Sequence, residues 1–443
     1  MSLRHPVFTC LPLLAALGCS ASNATSQNPF EEDPAGDDKF DTGWQSSLNS
    51  VEVELDLEGD VTADARHLER SPLEVGQFAL TWLRKHENVF IQSLAEDFAN
   101  GTDQIEWRLN GEWKKLADVP ADARSFLTHF RMKGVSAIIL DPKNKAEIPD
   151  HTYEATVPRD PAGLFAAVGK TCGTKEGSVD VEDGVYWYVW DPEKRGCKAE
   201  TTTLTARVAK VMPGGGTTFP EYDRLLEDKK IEALVLFGQV EHGDLEDSDL
   251  GFQLQEEFVA ILERGGFKQA EAERGVRYTR TRRGVTAVVD IYGPREFSGL
   301  DDFAHVAAFD AGVRSHEIIV WNGHSMLGAS DFWARPSIYS GEAQGKYQIF
   351  LYNGCLGYEY YVNPILEGKG GWGDVDIVSN VVETPFAIVV EETAVSLSRM
   401  FLAAERGGNA SWQQILTRMN NIAAEESFYG VSGARTNDFH PAP

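Results

Sequence analysis

No apolar run in this chain approaches the roughly 18 residues a membrane-spanning helix needs. Positive charge is scarce as well: 41 Lys and Arg stand against 68 Asp and Glu, a formal net charge of −27. Phosphate recognition needs clustered cations, so this balance argues against nucleic acid as a partner. It reads instead as a solvated acidic surface. Three catalytic signatures are missing: the Gly-x-Ser-x-Gly elbow, the Gly-Lys-Ser/Thr phosphate loop and the His-Glu-x-x-His zinc helix. The run Gly368-Lys369-Gly370-Gly371 reads as a loop rather than a phosphate cradle. What remains is ordinary for a globular protein, 42% apolar and 10% aromatic residues. A chain of 443 residues exceeds one hydrophobic core, which predicts two domains behind a leader.

The leader is expected over residues 1–18. Arg4 and His5 precede the apolar stretch Leu11 to Leu17, the layout of a secretory signal peptide. The ending Ala16-Leu17-Gly18-Cys19 resembles a bacterial lipobox, with Ala16 where Leu is usual. The resemblance implies lipidation of Cys19, an exported lipoprotein on the outer-membrane, periplasmic or cell-surface side, and membrane contact through that lipid only. An ordinary cleaved signal is the alternative. Residues 19–50 carry Ser, Asn, Gly and acids with almost no aliphatic residues, so they are expected to form a flexible acidic linker.

Five cysteines can be accounted for one by one. Cys10 leaves with the signal and Cys19 takes the lipid. In an oxidising compartment nearby thiols tend to pair, and Cys172 and Cys197 flank the strand-like Gly184 to Trp190, so a bridge is expected. Cys355 is left over. A leftover thiol in an exported protein suggests a reactive side chain or an intermolecular bridge; a buried inert thiol is the plain alternative.

Residues 51–215 read as an α+β accessory domain. Strands are expected at Val51–Leu55, Val135–Leu140, Tyr186–Trp190 and Leu204–Val211, and a helix over Leu73–Ala99. A hairpin is expected at Ile105–Leu109, Asn110-Gly111, Glu112-Trp113. Pro213-Gly214-Gly215-Gly216 marks a break. Beyond it, over 228–443, strands and helices alternate. Strands are expected at Ala233–Phe237, Val285–Ile291, Ile318–Trp321 and Ile349–Tyr352, with later ones at Val375–Val378 and Ala387–Val390. Helices are expected at Leu250–Leu262, Leu300–Val313, Glu391–Ala404 and Trp412–Met419. This rhythm predicts an α/β fold, a mainly parallel sheet covered by helices on both faces. In such sheets, functional residues gather where strands end.

The third of these strands runs into Asn322-Gly323-His324-Ser325 and the fourth into Asn353-Gly354-Cys355-Leu356-Gly357. A Cys acts as a nucleophile only as thiolate, and His supplies the base or the positive neighbour. The glycines allow sharp turns and close approach of N–H groups to a bound carbonyl. Two acids, Asp290 and Glu296, near the end of the second strand, are candidates to orient His324. His242, in Glu241-His242-Gly243-Asp244-Leu245-Glu246-Asp247, is a rival base. The oxygens of Asp244, Glu246 and Asp247 suit calcium, although the spacing is not that of an EF-hand and a capped, acidic helix start is the plainer reading. No other cofactor is implied.

A hydrophobic strand ending in His, then one ending in Cys, resembles the caspase–legumain–gingipain group of cysteine peptidases. Asn353-Gly354-Cys355-Leu356-Gly357 looks like a relaxed Gln-Ala-Cys-x-Gly motif, and Gly323-His324-Ser325 followed by Trp333 looks nearer the gingipain branch. The resemblance covers about residues 228–400. It implies a caspase-like fold and a cysteine endopeptidase working on peptide or protein substrates through a thioester. Cys355 would be the nucleophile and His324 the general base and acid. The N–H of Cys355 and one near Gly323 would form the oxyanion hole, with Ser325 and Gly354 in the supporting backbone. The family usually has Gly where this chain has Ser325. That departure keeps a second expectation alive, an inactive relative that binds other proteins at the cell surface.

Overall fold

The computed structural model describes residues 28–30, 50–92, 105–140, 145–162, 164, 168–175, 188–212, 217–241, 243–296, 306–325, 335–423 and 428–442. Cys19, His242 and Trp333 lie outside the described residues. Among the described residues no helix is long and apolar enough to cross a membrane.

The first unit contains β1 (Ser50–Asp60), α1 (Ser71–Glu87), β2 (Val89–Ile91), β3 (Ile105–Leu109), β4 (Glu112–Lys115), β5 (His129–Leu140), β6 (Thr152–Pro158), α2 (Val168–Thr171), β7 (Gly173–Lys175), β8 (Tyr188–Trp190) and β9 (Thr201–Val211). Seven strands form one sheet in the order β4-β3-β5-β1-β9-β6, with β2 added to β5, and every pairing is antiparallel. The β3–β4 turn places Asn110 and Gly111 at φ 53 and 89, as a tight Asn-Gly turn requires. The helix expected to reach Ala99 stops at Glu87. Asn88 caps it in the left-handed conformation, and the apolar residues Val89–Ile91 pair with β5 instead. Cys172 and Cys197 form a disulfide.

The second unit contains α3 (Tyr222–Leu225), β10 (Lys230–Phe237), α4 (Leu250–Arg264), β11 (Lys268–Ala270), β12 (Val276–Arg282), β13 (Val285–Tyr292), α5 (Val306–Ser315), β14 (Ile318–Asn322), β15 (Gln348–Asn353), α6 (Gly357–Tyr360), α7 (Val362–Lys369), β16 (Val375–Asn380), α8 (Phe386–Ala404), α9 (Trp412–Ala423) and β17 (Tyr429–Ser432). Its sheet runs β11-β12-β13-β10-β14-β15-β16-β17. The expected mainly parallel sheet with helices on both faces, the caspase-like architecture, is corrected here. The eight-stranded sheet is mixed: β11–β12, β12–β13 and β16–β17 pair antiparallel at its two margins, and the other large sheet is antiparallel throughout. Val276–Arg282 and Tyr429–Ser432 supply the margin strands that the sequence reading does not anticipate.

The two faces of this sheet are covered differently. Ile231, Ala233, Val235, Val320, Ile349 and Leu351 pack with residues of α4, α8 and α9 such as Phe258, Leu397, Phe401 and Trp412. The alternate residues Leu234, Leu236, Ile319, Trp321, Phe350 and Tyr352 meet Phe309 and Val313 of α5, but also Phe90, Ile138 and Leu140 of the first unit. Strands of the first unit thus share the second face with helices. Ala387–Val390, expected as a strand, is the first turn of α8; its β-branched run is overridden by packing against the sheet.

The expected flexible linker is corrected at one point. Phe30 is fully buried, edge-on to Phe267 at 5.2 Å and under the guanidinium of Arg280, whose Nη1 donates to Phe30 O at 3.0 Å. An aromatic residue flanked by Asn28, which donates to Ile261 O, anchors this stretch in the second core.

Candidate functional site

Three neighbouring parallel strands end level. Phe237 of β10 is the register partner of Asn322 of β14, which in turn partners Asn353 of β15. Residues 324 and 355 each follow two positions later. Beneath them the two asparagines are buried and tied: Asn353 Nδ2 donates to Asn322 Oδ1 at 2.9 Å and to Thr393 Oγ1 at 2.8 Å, and Thr393 Oγ1 donates to Asn322 Oδ1 at 2.7 Å. Helix α8 is thereby fastened to both strand ends.

The turns above are glycine for lack of room. A Cβ on Gly323 would stand 2.5 Å from the Trp321 ring, and one on Gly354 would stand 2.4 Å from the Tyr352 ring and 2.7 Å from Ser325 Oγ. Each ring folds back over the end of its own strand. Trp321 Nε1 also donates to His324 O at 3.1 Å, fixing the first loop. Ser325 Oγ donates to Cys355 O at 2.5 Å and accepts from Tyr352 at 3.3 Å. Its hydroxyl is therefore spent between the two loops, joining them.

His324 and Cys355 are both half-buried. The Nε2 of His324 lies 3.0 Å from the carbonyl oxygen of Val240, just beyond β10, and the ring meets Phe386 edge-on at 5.0 Å. A carbonyl only accepts, so Nε2 carries the hydrogen and Nδ1 is the basic nitrogen of the neutral ring. Burial pushes the Cys355 thiol up; the Thr384 backbone N–H works against this and Glu383 adds to it. The net direction is upward, so the resting group is a thiol. The loop after β10 thus holds His324, and the loop after β16 reaches the cysteine turn, where Thr384 Oγ1 donates to Gly354 O at 3.1 Å.

Neither acid expected to orient His324 does so. Asp290 takes two hydrogen bonds from Arg277, both 2.6 Å, and faces His316 Nε2 at 3.0 Å. Burial raises its carboxyl, but these partners outweigh burial and lower it to about 2. Glu296 accepts from the Gly293 N–H at 2.9 Å, closing its own turn. Asp244, Glu246 and Asp247 are exposed, and Asp247 pairs with Arg295. Among the described residues no group of three or more His, Cys, Asp or Glu is suited to a metal ion.

Sequence reading misses the residues that hold His324. Val240 contributes a carbonyl, which has no side-chain signature. Asp249 fixes that loop and had a readable signal, an acid immediately before the amphipathic helix α4, the N-cap position. Compared with family models and with curated proteins, the chain matches none.

Proposed function

We propose that the chain is a cysteine peptidase working at the common ends of β14 and β15. One observation carries this reading: Asn322 and Asn353 are register partners on adjacent parallel strands, and the His324 and Cys355 loops that leave them are joined by Ser325. The two short motifs, which resemble the caspase–legumain–gingipain group, favour a peptide as the acyl substrate. The Cys172–Cys197 disulfide supports an oxidising, exported setting, in keeping with a lipid anchor at Cys19.

In the proposed reaction His324 Nδ1 takes the Cys355 proton as the sulfur bonds to the scissile carbonyl carbon. Because burial keeps Cys355 a thiol, this proton transfer accompanies attack instead of preceding it. The oxyanion is met by the Cys355 N–H and an N–H near Gly323. Collapse breaks the C–N bond, and the imidazolium returns its proton to the leaving amine. Water, deprotonated by His324, then cleaves the thioester and restores the thiol.

Iodoacetamide and a peptidyl acyloxymethyl ketone test this. Both are expected to label Cys355, and His324→Ala is expected to slow labelling by about 100-fold or more. A folded protein whose Cys355 is inert, or reacts equally fast without His324, sinks the peptidase reading. That outcome favours the second reading, a catalytically silent surface protein that binds other proteins, for which Ser325 in the usual glycine position is the supporting observation.

A further inference from the structure

We infer that Asp249 is the positioning residue of His324, acting through the single peptide group between Val240 and Glu241. The inference rests on the proposed role of His324 as the base for Cys355. An imidazole can take a proton from a thiol only if the correct nitrogen is free to accept, and the partner of the other nitrogen decides this. Here that partner is Val240 O, at 3.0 Å from Nε2. This carbonyl belongs to a loop outside the sheet, so it is no better placed than the loop itself.

Asp249 supplies the missing rigidity. It is 1% exposed and its carboxylate gathers the loop: Val240 N donates to Oδ1 at 3.0 Å and Oδ2 at 3.1 Å, and Glu241 N donates to Oδ2 at 2.7 Å. Oδ1 also caps helix α4 through Gly251 N at 2.7 Å. The helix start is pressed against the strand end, since a Cβ on Gly251 would stand 2.3 Å from Gly238 O. Gln239 closes the other side of the loop, donating to Glu241 O and Gly243 O at 2.8 Å each.

The geometry goes beyond packing. The carbonyl of Val240 and the N–H of Glu241 are two ends of one planar trans peptide, and they point in opposite directions. The N–H end meets the buried Asp249 carboxylate, and the carbonyl end meets His324 Nε2. A hydrogen bond to a carboxylate polarises the amide and makes its oxygen a stronger acceptor. Asp249 therefore does through a peptide group what a carboxylate beside a histidine does directly. It selects the Nε2–H tautomer, so that Nδ1 is the unprotonated nitrogen, and stabilises the imidazolium that forms.

Nitrogen-15 NMR of the histidine rings in the full chain reads this without needing turnover, with His324→Gln identifying the signals. The wild type is expected to show His324 protonated at Nε2 and bare at Nδ1. Asp249→Asn keeps a capping side chain but removes the second acceptor oxygen, and Asp249→Ser keeps the cap alone. In both, the His324 signals are expected to move toward tautomer averaging, and iodoacetamide labelling of Cys355 at neutral pH to slow by roughly ten- to a hundredfold. A wild type protonated at Nδ1 overturns the inference before any substitution is made. A folded Asp249→Asn protein with unchanged His324 signals overturns it too. If instead His324→Gln leaves Cys355 labelling untouched, the dyad fails, and the tautomer still decides the role of Asp249.

Discussion

Arg84 in α1 and Glu359 in α6 form an ion pair at 2.8 Å with side chains only 5% and 0% exposed, joining the two units four residues past Cys355. Helix α6 starts from Leu356, a buried leucine held at φ 55. Removing one member of a buried ion pair costs about 3–5 kcal/mol. We expect Arg84→Ala to lower stability by that amount in urea unfolding and to change the labelling rate of Cys355. Arg207→Ala, which breaks the more exposed pair with Asp56, is expected to do neither. Equal effects of the two substitutions would show that the first unit has no hold on the cysteine loop.

Phe30 makes a comparable tie from the amino-terminal side. Its ring fills space between Phe267 and Phe401, and a Cβ on Gly265 would stand 2.5 Å from the Cβ of Phe30. Truncating a fully buried phenylalanine costs about 3–5 kcal/mol. We therefore expect Phe30→Ala to destabilise the second unit strongly. Phe126→Ala, which alters a side chain left 76% exposed, should stay within about 0.5 kcal/mol. Denaturation midpoints for the two variants check this, and a silent Phe30→Ala would return residues 28–30 to the status of a linker.

Two buried acids set the direction of pH dependence. Burial raises Glu392 to about 8 despite a hydrogen bond from the Tyr429 hydroxyl, and raises Asp376 to about 7 despite donors from Tyr347, Asn437 and Trp412. In the unfolded chain such groups lose their protons near pH ~4. Between those values the folded state binds more protons than the unfolded one, so stability falls as pH rises. Their contribution is complete below pH ~4 and lost as pH passes the folded values. Urea midpoints of the wild type are expected to drop between mildly acidic and mildly alkaline buffer. Glu392→Gln should flatten the alkaline part of that drop, and a profile unchanged by the substitution would count against the assignment.

What the sequence makes legible follows from how local each signal is. The glycine-flanked His324 and Cys355 stand at the ends of short apolar runs, and the spare-thiol argument needs only a count. The Cys172–Cys197 bridge needs only proximity and compartment. The hold on His324 is different in kind, because its acceptor atom is the main-chain carbonyl oxygen of Val240 and its support comes from Asp249. Side-chain patterns point instead to Asp290, which Arg277 and His316 hold, and to Glu296, which closes its own turn. The margin strand Val276–Arg282 escaped for a related reason. Its arginines interrupt any apolar pattern, and only the fold pairs Arg280 with Glu405 at 2.8 Å and lays it over Phe267. The parallel rhythm holds only from β13 through β10, β14 and β15 to β16; the margins pair antiparallel, and the second face is partly covered by the first unit's strands.

The closest test of the site's architecture lies in its glycines. A methyl group on Gly354 would have to displace the Tyr352 ring at 2.4 Å and the Ser325 hydroxyl at 2.7 Å. Tyr352 is itself stacked on Tyr361 at 4.1 Å, so it has nowhere to retreat. Overpacking of this kind costs about 1–3 kcal/mol, but its larger effect should be geometric. Moving Ser325 breaks its bond to Cys355 O, a direct link between the histidine and cysteine loops. We expect Gly354→Ala to fold with modestly reduced stability and to lose most Cys355 labelling. Gly373→Ala, where an added Cβ meets nothing within 4 Å, serves as the matched control. If Gly354→Ala labels as fast as the control, the joined loops do not set the reactivity of the thiol.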